Sequence, residues 1–150
     1  MRKNTAKQLF AFVLGLTILL SAGCASGPLT KLPTIITDKP PGEVTVIRIS
    51  SIVGVTNSYK ITLNGNEVFG IRSGQYTKFK LNEGEHYIGV KCFGGWTPTW
   101  KEDSLKFNVT PNSNSYFLIS PDLSCASIKA TTEAEAQEKM KDSKYVSMEQ

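Results

Sequence analysis

Short runs of alternating apolar and polar residues dominate the chain from residue 43 onward, and turn residues separate them. A period of two places the apolar side chains of a strand on one face and its polar side chains on the other. Asn64-Gly65 lies between two such runs and is a strong signal for a hairpin turn. The strands predicted in this way cover residues 44–53, 59–63, 68–71, 77–81, 86–92, 105–109, 116–119 and 126–130.

This pattern predicts a mainly β fold, an antiparallel β-sandwich of seven to eight short strands with one short C-terminal helix. The alternative is a partly open barrel built from the same strands. Thr132 and Glu135 have the spacing of a capping box, and residues 133–142 contain helix formers without Gly or Pro. The apolar face of this helix is narrow, consisting mainly of Ala136 and Met140. We therefore expect the helix to lie on the sheet or to fray.

The first residues follow another pattern, in which a basic start precedes an apolar run over residues 9–20 and then small residues. Such a pattern is typical of a secretory signal peptide, predicted here for residues 1–23. A membrane-spanning helix would need about 20 apolar residues. Arg2, Lys3 and Lys7 account for three of the four net positive charges. The remaining chain offers no clustered basic face, so no nucleic-acid partner is expected.

Cys24 follows the small residues directly, and Leu19-Leu20-Ser21-Ala22-Gly23-Cys24 resembles the lipobox of bacterial lipoproteins. The resemblance implies that Cys24 carries acyl chains, and two or three such chains hold a protein on a membrane without a spanning helix. Ala25, where Asp would favour the inner membrane, implies sorting to the outer membrane, facing the periplasm. The alternative is a free cysteine beside an ordinary cleavage site.

Residues 24–42 contain four of the seven prolines, which fix φ and remove backbone donors. This segment is predicted to be a Pro-rich tether that holds the domain away from the lipid, or else an N-terminal segment without a spacing role. The sandwich domain is expected over residues 43–130, and the C-terminal helix and tail over residues 131–150.

With Cys24 acylated, Cys92 and Cys125 remain as an even pair in an oxidising compartment. This even number of cysteines in an oxidising compartment predicts a disulfide between them. The alternative is two buried thiols that lie apart. The absence of a Cys-x-x-Cys spacing argues against a redox-active role.

The sequence offers little catalytic chemistry, and no catalytic residue, cofactor or metal is expected. His86 is the one histidine and lacks the neighbours in sequence that a catalytic triad or a zinc site would suggest. Trp96 and Trp100, the two tryptophans, lie in one loop between strands. Because loops and tryptophans are common in binding surfaces, they are the candidate partner contacts. The alternative is that they cap the open end of the sandwich.

Further turn and strand signatures are Gly42-Glu43-Val44-Thr45-Val46, Leu63-Asn64-Gly65-Asn66, Gly74-Gln75-Tyr76, Glu83-Gly84-Glu85-His86 and Ser115-Tyr116-Phe117-Leu118. Together with the Glu-Ala-Glu-rich helix, they resemble an uncharacterised family of bacterial lipoproteins that carry a domain of unknown function. The Gly-Glu-His element is similar to one in small sandwich modules of the PEGA type. The resemblance implies a β-sandwich and brings no catalytic residues.

The leading hypothesis is a lipid-anchored, non-enzymatic binding or scaffold module of the bacterial cell envelope. Its partners would be the membrane, through the lipid on Cys24, and an envelope protein or glycan. One alternative is a periplasmic enzyme with an unrecognised carboxylate site. Another is a purely structural lipoprotein without a defined ligand.

Overall fold

The computed structural model describes residues 26–36, 38–94, 99–122 and 125–148. This part of the chain contains ten strands and one helix, α1, near the C-terminus. In chain order they are β1 (Gly27–Pro28), β2 (Gly42–Arg48), β3 (Tyr59–Leu63), β4 (Asn66–Ile71), β5 (Gln75–Leu81), β6 (Gly84–Gly94), β7 (Thr99–Val109), β8 (Asn114–Pro121), β9 (Ala126–Thr131), α1 (Glu133–Lys141) and β10 (Lys144–Tyr145).

The strands form two five-stranded sheets that pack as a sandwich, which confirms the predicted fold class. The first sheet has the order β1-β4-β3-β6-β7, and the second has the order β10-β5-β2-β8-β9. Apolar side chains from both inner faces fill the space between the sheets, among them Val44, Val46, Ile61, Phe69, Phe79, Leu81, Ile88, Val90, Phe117 and Ile119.

The second sheet is mixed, whereas the sequence predicted antiparallel strands. β2 pairs with β8 in parallel, and the short β10 pairs with β5 in parallel. A tight turn in the sequence indicates an antiparallel hairpin, but two strands that pair in parallel need a long connection. Residues 49–113 separate β2 from β8 and include most of the first sheet, so no local signal could predict this pair.

Two of the predicted strands differ from the observed ones by more than two residues at one end. β2 ends at Arg48, not at residue 53, and β7 begins at Thr99, six residues before the predicted start. The apolar run after Arg48 belongs to a loop, and apolar composition alone cannot distinguish such a loop from a strand. The first half of β7 is polar and mostly exposed, and its pairing with β6 makes it a strand.

The helix α1 lies on the outer face of the second sheet, as one of the two expected arrangements. Its N-cap is the predicted Thr132, whose Oγ1 accepts from the backbone N–H of Glu135 at 3.3 Å. The Glu135 side chain accepts from the Thr131 hydroxyl. Ala136 is fully buried against Ile47 and Leu118. The central strand β2 is therefore covered on both faces, and six of its seven residues are buried.

The described part of the Pro-rich segment is extended and lies along the domain. β1 pairs with β4, the hydroxyl of Thr30 donates to Glu67 O at 2.9 Å, and the backbone N–H of Ile36 donates to Asn82 Oδ1 at 2.8 Å. The predicted signal peptide and Cys24 lie outside the described residues. Within the described ranges, no helix has the length and apolar character needed to cross a bilayer.

Candidate contact surface

The predicted disulfide is confirmed and joins the two sheets. Cys92 lies on β6 of the first sheet, and Cys125 comes directly before β9 of the second. Their Cα atoms are 5.9 Å apart. Tyr59 reinforces this junction, because its hydroxyl donates to Cys125 O at 3.3 Å. The bridge therefore fixes one end of the sandwich, where β6 ends and β9 begins.

Trp100 is the described member of the predicted tryptophan pair, and it lies in an aromatic and basic patch near this end. It stands opposite Phe93 in the β6–β7 pair, with ring centroids 5.5 Å apart. About half of each side chain is exposed. Lys60 Nζ and Lys91 Nζ lie 4.5 Å and 5.4 Å from the Trp100 ring centroid, within reach of a cation–π interaction. Trp96 lies outside the described residues.

Glu67 forms ion pairs with both lysines of this patch. Lys60 Nζ donates to one of its carboxylate oxygens at 2.5 Å, and Lys91 Nζ donates to the other at 2.8 Å. These bonds, first the one from Lys60 and then the one from Lys91, lower the pKa of Glu67. The bond to Glu67 in turn raises the pKa of Lys91. The patch therefore presents an exposed indole ring beside two lysines that a single carboxylate holds in place.

A shallow, open depression of about 610 Å³ lies further along the same sheet face. Gly89 forms part of its floor, and Thr62 Oγ1 donates to Glu102 Oε1 at 2.6 Å above it. A Cβ at Gly89 would come within 2.5 Å of Thr62 Oγ1, so the close contact requires glycine. The depression adds hydrogen-bonding groups beside the aromatic patch, as a sugar or a peptide would require.

His86 has a structural setting. Its Nδ1 is 3.2 Å from Asn64 Nδ2, and its Nε2 is 3.0 Å from Asn82 O, so the ring connects two turns. Its ring centroid is 5.8 Å from that of Phe107. Among the described residues no group of three or more His, Cys, Asp or Glu could hold a metal ion.

Residues 49–58, here called the 49–58 loop, were not singled out from the sequence. Arg48, at its start, is fully buried, although an arginine at a strand end ordinarily reaches solvent. Its guanidinium donates to Gly54 O at 2.6 Å, to Asn57 O at 2.6 Å and to Ile71 O at 3.0 Å. It also stacks on Tyr59, with 3.6 Å between Cζ and the ring centroid.

Glycine at position 54 completes this arrangement. Gly54 has φ +64°, and a Cβ there would lie 2.5 Å from Tyr59 Oη. A position with left-handed backbone and an aromatic ring this close accommodates glycine far more readily than a residue with a side chain. Alternation along β2 places Arg48 on the same face as Val44 and Val46, and this was the signal that could have indicated its burial.

Comparison of the chain with protein-family models finds no match, and comparison with curated proteins finds none either. The predicted resemblance to an uncharacterised lipoprotein family is therefore supported only at the level of the two-sheet sandwich.

Proposed function

We propose that this protein is a lipid-anchored lipoprotein of the bacterial cell envelope, and that its sandwich is a non-enzymatic binding or scaffold module facing the periplasm. The Cys92–Cys125 disulfide is the observation that carries the proposal. Stable disulfides belong to oxidising compartments outside the cytoplasm. The leader-like residues 1–23 and the lipobox-like run that ends at Cys24 supply the route and the anchor. The resemblance to the uncharacterised lipoprotein family is in keeping with this reading.

Labelling with a radioactive or clickable fatty acid in bacterial cells tests the anchor. The full chain should incorporate the label, and Cys24→Ser should abolish incorporation. A matched control is the double variant Cys92→Ser/Cys125→Ser, which removes the other two cysteines and should still be labelled. Continued labelling of Cys24→Ser would overturn the lipoprotein assignment.

The membrane of residence has its own test. Ala25 follows the acylated position, and an Asp at this position favours retention in the inner membrane by the sorting rule of Gram-negative lipoproteins. The unaltered protein should therefore fractionate with the outer membrane on a density gradient. Ala25→Asp should move it to the inner-membrane fraction. If Ala25→Asp and the unaltered protein have the same distribution between the fractions, the sorting proposal is contradicted.

The partner is proposed to be an envelope protein or a glycan that contacts the patch around Trp100. The exposed indole, the adjacent Phe93 ring and the two lysines offer the stacking and hydrogen-bonding groups that such partners use. Trp96→Ala/Trp100→Ala should leave the unfolding transition unchanged and abolish capture of the crosslinked partner from membranes. Tyr145→Ala, which also removes a half-exposed aromatic ring but lies on the second sheet, is the matched control and should retain capture. Unfolding of the double tryptophan variant would instead favour the capping role.

A further inference from the structure

The 49–58 loop presents apolar side chains to solvent at one end of the sandwich. Ile52 is 92% exposed, and Val53 and Val55 are 48% and 53% exposed. Residues 49–58 contain no charged side chain. Scattered exposed apolar residues are ordinary, but a contiguous apolar group on an uncharged loop marks an interaction site more often.

The loop is longer than the fold requires. It carries the chain from the second sheet to the first in ten residues. The crossings between β4 and β5, β5 and β6, and β7 and β8 take three, two and four residues. The additional length is therefore not needed to connect the sheets.

The backbone of the loop is nevertheless held firmly. Besides the two bonds from Arg48 to Gly54 O and Asn57 O, the Ser51 N–H donates to Ser73 Oγ at 3.0 Å, and Ser73 Oγ donates back to Ser51 O at 3.2 Å. The N–H of Val53 donates to Ser51 Oγ at 3.1 Å. The apolar side chains therefore point away from the domain because the loop is built that way, and not because it lacks contacts.

The N-terminal segment enters the domain at the same end. Gln75 Nε2 donates to Ser26 Oγ at 3.3 Å, and Gln75 stands opposite Arg48 in the β2–β5 pair. Two residue steps separate Ser26 from Cys24 and can span at most about 7 Å. The segment then runs to the other end of the sandwich, where Ile36 contacts Asn82. A lipid on Cys24 would therefore be next to the end that carries the 49–58 loop.

We propose that the 49–58 loop is a membrane contact: the sandwich stands on the leaflet that holds its anchor, with Ile52, Val53 and Val55 in the interfacial layer. Apolar groups of surface-bound segments enter this layer to a depth of about 5–10 Å. Trp100 and Phe93 lie near the same end, at the last described pairs of β6 and β7, and aromatic rings are enriched at that layer. This inference rests on the proposed lipid anchor.

The orientation can be measured on the acylated, isotope-labelled protein in lipid nanodiscs that contain a gadolinium-chelating lipid. Paramagnetic enhancement of amide proton relaxation falls with the sixth power of distance. β3 alone separates the loop from Asn64 by about 17 Å. The amides of residues 52–55 should therefore relax faster than those of residues 64–66 by at least about tenfold. Equal enhancement at both ends, or a stronger effect at residues 64–66, would overturn the orientation.

A pair of variants tests the loop itself. Ile52→Asp/Val55→Asp should reduce the enhancement at the loop by several fold while the protein remains in the nanodisc. Ile36→Asp is the matched control, since Ile36 is also an exposed apolar residue but lies at the opposite end. This variant should keep the wild-type pattern. An unchanged pattern in the loop variant would contradict a role for these side chains.

The failure of the inference and the failure of the anchor give different results. A purified protein whose mass lacks acyl chains would overturn both. An acylated protein without the end-to-end difference would overturn the membrane contact alone. Photo-crosslinking from position 52 in cells provides a further check, since it should yield lipid adducts. A discrete protein adduct instead would assign the loop to a protein partner and refute the lipid assignment.

Discussion

Replacement of Arg48 by methionine is the most informative single perturbation of this domain. Methionine keeps most of the unbranched stem and removes the charge together with the donors to Gly54 O, Asn57 O and Ile71 O. Each hydrogen bond from a charged group contributes about 1.5–3 kcal/mol. The desolvation of a buried charge costs several kcal/mol and offsets part of this gain.

The net loss should be about 3 kcal/mol, because three charge-assisted bonds disappear and Ile71 O is left buried without its partner. A domain has about 5–15 kcal/mol of stability in total, so this loss is large. The melting temperature should fall by about 10 °C. The stability of Arg48→Lys should lie between that of the wild type and that of Arg48→Met, since an ammonium group cannot reach three carbonyls in the way that a planar guanidinium does.

The assay is urea unfolding of residues 24–150, secreted behind an ordinary signal peptide and carrying Cys24→Ser. Hydrogen exchange of the amides of residues 52–57 provides a local readout, and these amides should exchange faster in Arg48→Met. Arg72→Met is the control, since Arg72 is partly exposed, and it should change stability by less than about 1 kcal/mol. If Arg48→Met unfolds at the same urea concentration as the wild type, the buried arginine does not organise the loop and the reasoning is wrong.

Three further predictions concern the same domain. Gly54→Ala should lower the free energy of unfolding by more than about 1 kcal/mol, because Gly54 has φ +64° and the new methyl group meets Tyr59. A double-mutant cycle should show a smaller loss when Gly54→Ala is made in a Tyr59→Phe background. Cys92→Ala/Cys125→Ala should lower the free energy of unfolding by about 4 kcal/mol, the loop-entropy value for a sequence separation of 33, and a loss below about 1 kcal/mol in urea unfolding would contradict this. The folded-state pKa of Glu67 is lowered, so the carboxylate stabilises the fold above its unfolded pKa and loses this contribution as the pH falls through its folded pKa. The stability of Glu67→Gln should therefore fall less than that of the wild type between neutral and acid pH, and parallel curves would refute the assignment.

The hairpin at Asn64-Gly65 was predictable because its chemistry is local. Both residues have positive φ, 50° and 82°, and Asn and Gly are the residues that adopt such values most readily. The disulfide was predictable by counting cysteines once Cys24 had been assigned to the anchor. The helix cap followed from the spacing of Thr132 and Glu135 in the same way.

The 49–58 loop and the contacts that hold it were not predictable in this way. Residues 44–53 are rich in Val and Ile, and such a composition is typical of a strand. The strand instead ends at Arg48, and its guanidinium binds two carbonyls of the loop that follows it. These contacts involve carbonyl oxygens at positions 54, 57 and 71, and although alternation along β2 points to a buried Arg48, only the complete fold brings these carbonyls to its guanidinium.

The position of the N-terminal segment differs from that expected of a Pro-rich tether that holds the domain away from the lipid. A spacer would let the domain reach a partner far from the membrane, but the hydrogen bond between Gln75 and Ser26 starts the folded domain two residues after Cys24. If the anchor and the membrane contact both hold, the patch around Trp100 lies close to the bilayer. Its partner would then have to be a membrane-embedded protein or a polymer that approaches the membrane surface. A partner that lies only deep in the periplasm would require the segment to detach from β4, which would cost the β1 pairing.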